Sequence, residues 1–282
     1  MLTLMYITNS PSVAEIAQRY GVDWIFVDLE TLGKEERQRD MNTVKSHHTV
    51  NDISAIKPIL TTSKLLVRVN PIHDGSKAEI DDVISRGADI IMLPMWKTVQ
   101  NVIDFLSFVG GRCKTLLLLE TKEACEVLDD VLKIDGIDYI HIGLNDLHLS
   151  YNLSFMFEPL SNGLVDVLCN KIAQKGIPYG FGGIARIGEG LIPAEMLLIE
   201  HCRLNSSMAI LSRSFCNTSM YSSINEIEDI FANNMKKLRD FEGVAMSLSP
   251  HDMNFNHNRI VECVNRVISE KNDQQSVSGI VR

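Results

Sequence analysis

Five ionisable residues stand where short apolar runs give way to polar chain: Asp28 and Glu30 follow WIFV, Arg68 lies in LLVRVNP, Glu120 ends TLLLL, and Asp146 lies in HIGLNDL. A carboxylate at the edge of an apolar run is costly unless it meets a cation. Two such carboxylates, Glu120 and Asp146, borne by successive elements with water completing the shell, suit the oxygen-rich octahedral preference of Mg2+ or Mn2+. Zinc fits poorly, because His141 and His148 lack the spacing that brings two imidazoles onto one helix face; both read as structural or surface histidines. Arg68 is a fork-shaped donor suited to a carboxylate or an enolate oxygen. Plainer roles stand beside these. Glu120 and Asp146 are also acceptable at the head of a helix, and Arg68 could simply pair with Asp28 or Glu30.

These residues need a scaffold that gathers strand ends. Apolar runs rich in Val, Ile and Leu recur, each followed by an amphipathic stretch, which is the sign of a parallel sheet covered by helices. Strands are predicted at residues 2–7, 24–29, 65–69, 90–93, 115–119, 139–142, 178–181 and 207–211. Eight is the count of a closed (β/α)8 TIM barrel, so the fold class is α/β. Helix patterns occupy 12–20, 78–86, 98–109, 122–132, 160–175 and 193–201, and RYG, SRG and QKG place Gly where a helix would end. Catalytic groups of such barrels lie at the carboxyl ends of the strands, which selects Asp28, Glu30, Arg68, Asn70, Glu120 and Asp146. The glycines of FGGIARIGEG offer backbone donors for an anion, on weaker grounds. Residues 1–215 are thus expected to form the catalytic barrel. Two further helices, 224–241 and 257–270 with the loop LSPHDMNFNHN between them, would fill 216–270 and pack on the barrel or a neighbouring subunit. Residues 271–282 are expected to fray.

The bulk properties agree with one soluble enzyme domain. The chain has 282 residues, 45% of them hydrophobic and 22% charged, enough for a large core. A net charge of -9 argues against nucleic acid or anionic lipid as partner. It leaves room for an acid substrate where a metal ion and an arginine make a pocket locally positive. The opening MLTLMYITNSPS lacks a basic region followed by a long apolar run, and no apolar stretch is long enough to span a bilayer, so a cytoplasmic location is expected. Six cysteines without metal-ligand spacing read as reduced thiols.

The series VDWIFVDLET, LVRVNP, RGADIIMLPMW, LLLLETKEACEVLDDVLKIDGIDYIHIGLNDL and GFGGIAR resembles, in order and spacing, the HpcH/HpaI aldolase and citrate lyase beta-subunit family of the pyruvate/phosphoenolpyruvate barrel superfamily, over roughly residues 10–215. The resemblance implies Glu120 and Asp146 as ligands of Mg2+ or Mn2+ and Arg68 as the residue that steadies an enolate oxygen. It also implies Asp28 and Glu30 around metal-bound water, and Gly143 as the place where a substrate carboxylate meets backbone. Leu144, Asn145 and Pro94 complete the expected substrate wall. Two positions depart from the family pattern. Where aldolase members carry a histidine after the DxE acid and a glutamine two residues before the metal-binding glutamate, this chain has Thr31 and Leu118. His47 or His48 in KSHHTVND is the candidate replacement base.

The chemistry so implied is metal-dependent carbon–carbon cleavage or formation at a small 2-oxo acid, because such cleavage leaves charge on an enolate oxygen that a divalent ion and Arg68 can stabilise. A thioester lyase of the citrate lyase kind or an oxaloacetate decarboxylase uses the same scaffold. A barrel that binds a metabolite without turning it over is the reading from another class. The resemblance further implies a homo-oligomer built from dimers, up to a hexamer, with a C-terminal helix exchanged between subunits.

Overall fold

The computed structural model describes residues 1–33 and 48–279, and His47 lies outside them. Eight parallel strands close into a barrel in chain order: β1 (Thr3–Ile7), β2 (Trp24–Asp28), β3 (Lys64–Arg68), β4 (Ile90–Leu93), β5 (Lys114–Leu119), β6 (Tyr139–Ile142), β7 (Tyr179–Ile184) and β8 (Met208–Leu211). The predicted (β/α)8 fold is therefore present, and each strand lies within three residues of its expected bounds.

Strand alternation decides which residues reach the barrel axis. Trp24, Phe26, Leu66, Met92, Leu116, Leu118 and Met208 fill the interior as one apolar cluster. Side chains two residues further along a strand point the same way. Asp28 after Phe26, Arg68 after Leu66 and Glu120 after Leu118 accordingly rise from the top of that packed column. The register sets Asp28 directly beside Arg68 and Leu118 beside His141. The alternate residues, such as Ile25, Val67, Leu117 and Leu119, face outward into the larger cluster beneath the helices.

The surrounding helices are α1 (Pro11–Arg19), α2 (Val50–Ile56), α3 (Ser76–Ser85), α4 (Val99–Val109), α5 (Lys122–Val131), α6 (Leu144–Ser150), α7 (Glu158–Ser161), α8 (Leu164–Ala173) and α9 (Ala194–Arg203). Their starts follow local chemistry: Ser10 with Pro11 opens α1, Thr98 forms a capping box on α4, and Thr121 caps α5. The single helix expected over 160–175 is instead two, because Gly163 takes φ +83 and breaks the run.

Beyond β8, α10 (Ile224–Met246) and α11 (Pro250–Gly279) pack on the chain's own barrel. Phe231 of α10 meets Tyr6 edge-on at 5.0 Å and Phe215 at 5.6 Å. The expected loop before residue 257 is helical instead. The polar run PHDMNFNHN hides a helix start: Ser249 Oγ accepts the Asp252 N–H at 3.2 Å, Asp252 caps back to Ser249, and Pro250 occupies the first turn. Among the described residues no helix is long and apolar enough to cross a membrane.

Candidate active site

Arg68, the last residue of β3, makes a two-pronged ion pair with Asp28, Nε to Oδ1 at 2.8 Å and Nη2 to Oδ2 at 2.8 Å. Its Nη1 lies 3.3 Å from Glu30 Oε2. Both acids are almost fully buried. The pairing named at the outset as the plainer role of Arg68 is thus real, yet it does not exhaust the side chain. A guanidinium carries five N–H donors, and two beyond those three contacts remain. Asp28, Glu30 and Glu120 all stabilise the cation and hold its proton more firmly than in water.

Glu120 stands directly after β5, 3% exposed, and does not head a helix; Thr121 does. The Met95 N–H donates to Glu120 Oε1 at 3.0 Å. Met95 holds φ +50, a region that side-chain-bearing residues seldom adopt, so the backbone after β4 is bent to present this donor. Burial pushes the Glu120 carboxyl well above the usual carboxylate range; the Asp146 charge pushes the same way and Arg68 opposes. Asp146 lies in the first turn of α6, whose cap position is Gly143, so it too is not an N-cap.

Gly143 is the hinge of this arrangement. A Cβ there would lie 2.8 Å from Glu120 Oε2 and 3.0 Å from Glu120 Cβ, closer than real contacts permit. The glycine lets the β6–α6 turn run against the Glu120 carboxylate, which brings Asp146 alongside it.

These groups open into a cavity of about 310 Å3 at the carboxyl ends of the strands. Arg68, Glu120, Gly143, Leu144, Asn145 and Asp146 line it, as expected from the sequence. Pro94 does not line it; the next residue, Met95, acts there through its N–H. Asp28 and Glu30 stand behind Arg68 instead of in the wall. His48 is beside them, its Nδ1 accepting the Asp28 N–H at 3.0 Å. In the neutral ring that bond puts the proton on Nε2, which makes His48 a donor there rather than a proton acceptor. Thr31, at the family's histidine position, bonds Asn70 Oδ1 through its N–H at 2.9 Å, and Leu118 forms apolar wall.

Three polar side chains of the wall were not singled out as site residues from the sequence. His141 lies in the barrel interior, donating from Nε2 to the Gly182 carbonyl at 3.1 Å, with Nδ1 buried and without a partner among the described residues. Burial lowers it to about 4, so it is neutral. Ser212 and Arg213 directly follow β8 and line the same cavity. Extending the strand-end rule to β8 would have found them. A larger hollow of about 620 Å3 lies at the opposite end of the barrel, but its Lys114 and Arg112 are already paired with Asp138 and Asp81. Active sites of this fold sit at the other end.

A divalent cation fits the mouth in charge and donor type. Four carboxylates, Asp28, Glu30, Glu120 and Asp146, face two guanidinium groups, Arg68 and Arg213, and two positive charges would balance the set. Among the described residues no three His, Cys, Asp or Glu side chains form a cage that would hold a metal alone. Two carboxylates are enough protein ligands for a cation such as Mg2+, which fills the rest of its shell with water and substrate oxygens.

A family model described as HpcH/HpaI aldolase/citrate lyase matches residues 2–154. The 2-keto-3-deoxy-L-rhamnonate aldolases of Salmonella paratyphi B and Salmonella newport are each 29% identical over 168 residues, covering 49% of this chain and 57% of theirs. The chain thus spans little more than half the length of these relatives. Among solved structures, an HpcH/HpaI aldolase from Desulfitobacterium hafniense superposes with a TM-score of 0.60 at 14% identity, over 81% of this chain and 93% of that one. Macrophomate synthase does so at 0.53 and 15%, over 75% and 77%. At such identities the structures establish a shared fold.

Proposed function

Because the chain belongs to the HpcH/HpaI aldolase/citrate lyase family, we propose that it is a lyase dependent on Mg2+ or Mn2+ that breaks or makes the bond at C3 of a pyruvate-type 2-oxo acid. The observation that carries this reading is the meeting of Glu120 and Asp146 beside Arg68 in one cavity, with the Glu120 carboxyl raised by burial and by its acidic neighbour. A divalent cation held by these two acids would supply electrophilic stabilisation of the oxo group and its enolate.

The chain's own groups divide the remaining work. Gly143 admits the substrate carboxylate close to backbone. Asp28 and Glu30 clamp Arg68, whose two further N–H donors are left for an oxygen that gains charge when the C3 bond breaks. The bond's electron pair enters the enolate, and the departing carbon leaves as aldehyde once its hydroxyl proton is removed. Leu118 in the wall and Thr31 tied to Asn70 provide no base for that proton. This favours a second substrate type on the same scaffold, a 3-carboxylated oxo acid such as oxaloacetate. There carbon dioxide departs, its electrons enter the same enolate, and no hydroxyl proton need be taken.

The test is release of pyruvate, with Mg2+ present, from 4-hydroxy-2-oxo acids and from oxaloacetate. Turnover lost in Glu120→Gln and Asp146→Asn supports the reading, and unchanged turnover in both refutes it. Failure of pyruvate or oxalate with Mg2+ to raise the melting temperature would favour a barrel without catalysis. The reading carries with it a dimer-based homo-oligomer, which a monomeric mass in solution scattering would contradict.

A further inference from the structure

Glu120 is held by more than its own strand. Its Oε1 accepts the Met95 N–H at 3.0 Å, and Met95 offers that donor from a backbone at φ +50. Residues with a side chain occupy this region only where their surroundings impose it. Left to itself, the turn after β4 would relax and withdraw the N–H.

The neighbours of Met95 oppose that relaxation. Pro94 precedes it with φ locked by the ring. Trp96 follows, 1% exposed and packed in the cluster beneath the helices, although its Nε1 finds no partner among the described residues. The Trp96 carbonyl accepts the Thr121 Oγ1–H at 2.9 Å. Thr121 directly follows Glu120, is itself buried, and accepts the Ala124 N–H at 3.1 Å on the same oxygen. Its hydroxyl is therefore donor and acceptor at once, which fixes where the proton points. Another tie, Lys97 Nζ to Glu123 Oε1 at 3.0 Å, is exposed and adds little.

Residues 95–96 and 120–121 are thus joined by two hydrogen bonds running in opposite directions. One goes from the β4 turn to the Glu120 carboxylate, the other from the hydroxyl beside that carboxylate back to the turn. Resting on the function proposed above, we propose that Thr121 and Trp96 are positioning residues. They hold Met95 in its left-handed conformation, and through the Met95 N–H they keep Glu120 with Oε1 engaged and Oε2 turned toward Gly143. A helix cap needs Thr121 only as an acceptor; this clamp needs its proton as well.

The test places Thr121→Val and Thr121→Ser in two backgrounds, native and Met95→Gly, because glycine takes a positive φ without strain. In the native background Thr121→Val should speed hydrogen exchange of the residue 95 amide about tenfold, followed by NMR without metal, and lower Mg2+-dependent kcat about tenfold, the scale of one hydrogen bond to a charged group. Thr121→Ser should leave both near the native values. In the Met95→Gly background the same Thr121→Val change should alter each by less than about twofold, since the two positions act through one contact. Equal losses in the two backgrounds, which a helix cap alone would produce, overturn the proposal, and so does a residue 95 amide indifferent to Thr121→Val. Thr121→Gly, a mild change at a helix cap, takes the place of Thr121→Val if that chain does not fold. The exchange measurement needs neither cation nor substrate. An amide that ignores residue 121 in a chain that turns over refutes the clamp alone, whereas a native chain that releases no pyruvate with Mg2+ removes the parent reading and the positioning role with it.

Discussion

Two arginine clusters in this molecule use the same residue types to opposite ends. Outside the barrel, Arg203 of α9 binds Asp166 of α8 through Nη1 at 2.7 Å and Nη2 at 2.9 Å, and Glu200 through Nη2 at 2.6 Å and Nε at 3.0 Å. His257 of α11 completes it, 2.7 Å from Glu200 Oε1. Every acid there turns toward partners in the same cluster, and three helices are tied together. At the mouth, Arg68 is clamped equally well, but the network runs on to Glu120 and Asp146 and opens into a cavity. A closed cluster spends its polar groups on the fold. An open one with surplus negative charge is prepared for something that is not protein, and strongly perturbed carboxyls are a mark of such sites.

The comparison breaks most visibly on Glu120. Its replacement by Gln removes an anion from the mouth, and Mg2+-dependent turnover should fall about a thousandfold, the loss of several kcal/mol of charge stabilisation. Thermal stability should hold or rise, because a buried, mutually repelled carboxyl is relieved. A drop in melting temperature with turnover intact would show that the mouth is a structural cluster after all. The opposite signature belongs to Arg203→Met, which leaves Glu200 buried without its cation. Urea unfolding should record a loss of about 3–5 kcal/mol, while folded protein still binds Mg2+. If Mg2+ affinity fell instead and stability did not, the division between the clusters would be lost.

Much of the mouth was legible in the sequence, because strand alternation and the strand-end rule act locally. The WIFVD and TLLLLE runs suffice to aim Asp28 and Glu120 inward. What stayed hidden depends on distant contacts. Arg213 stands at a strand end that the same rule reaches, but its seating depends on the closure of β8 on β1 and on Phe215 meeting Phe231 of α10, which SRSF does not announce. Met95 holds a positive φ that its residue type gives no hint of. The early start of α11 was masked by polar residues, although its Ser249–Asp252 cap is a local signal. His48 was named from the sequence as a candidate base, and only the Asp28 N–H reveals which of its nitrogens is engaged.

A finer way to sharpen the contrast is to disturb position without removing charge. Gly143→Ala places a methyl 2.8 Å from Glu120 Oε2. The backbone φ of -84 at Gly143 is open to alanine, so the strain falls on the carboxylate and on the β6–α6 turn. A displacement approaching 1 Å at a catalytic group costs about a hundredfold. The loss should show in Mg2+-dependent turnover, with far-ultraviolet circular dichroism unchanged. Full activity in this variant would mean that Glu120 and Asp146 need not approach one another.

The smallest effect concerns two neutral histidines that flank β7, one on each side of the comparison. His141 lines the mouth and is lowered to about 4 by burial. His201, stacked on Phe181 at 4.0 Å behind the strand, is lowered to about 3 by burial and by His141. Below about pH 6.5 the unfolded chain takes up protons that the folded one refuses. Stability from these groups is therefore complete above that pH and declines as pH falls toward 4. One unit below the ordinary value, each should contribute about 1.4 kcal/mol of loss. Urea unfolding at pH 7.5 and 5.5 reads this directly, and His141→Gln should remove about half of the difference. An absent difference would refute this reading, and one that persists in the variant carrying both His141→Gln and His201→Gln would assign the acid sensitivity to other groups, among them His148, which burial also lowers.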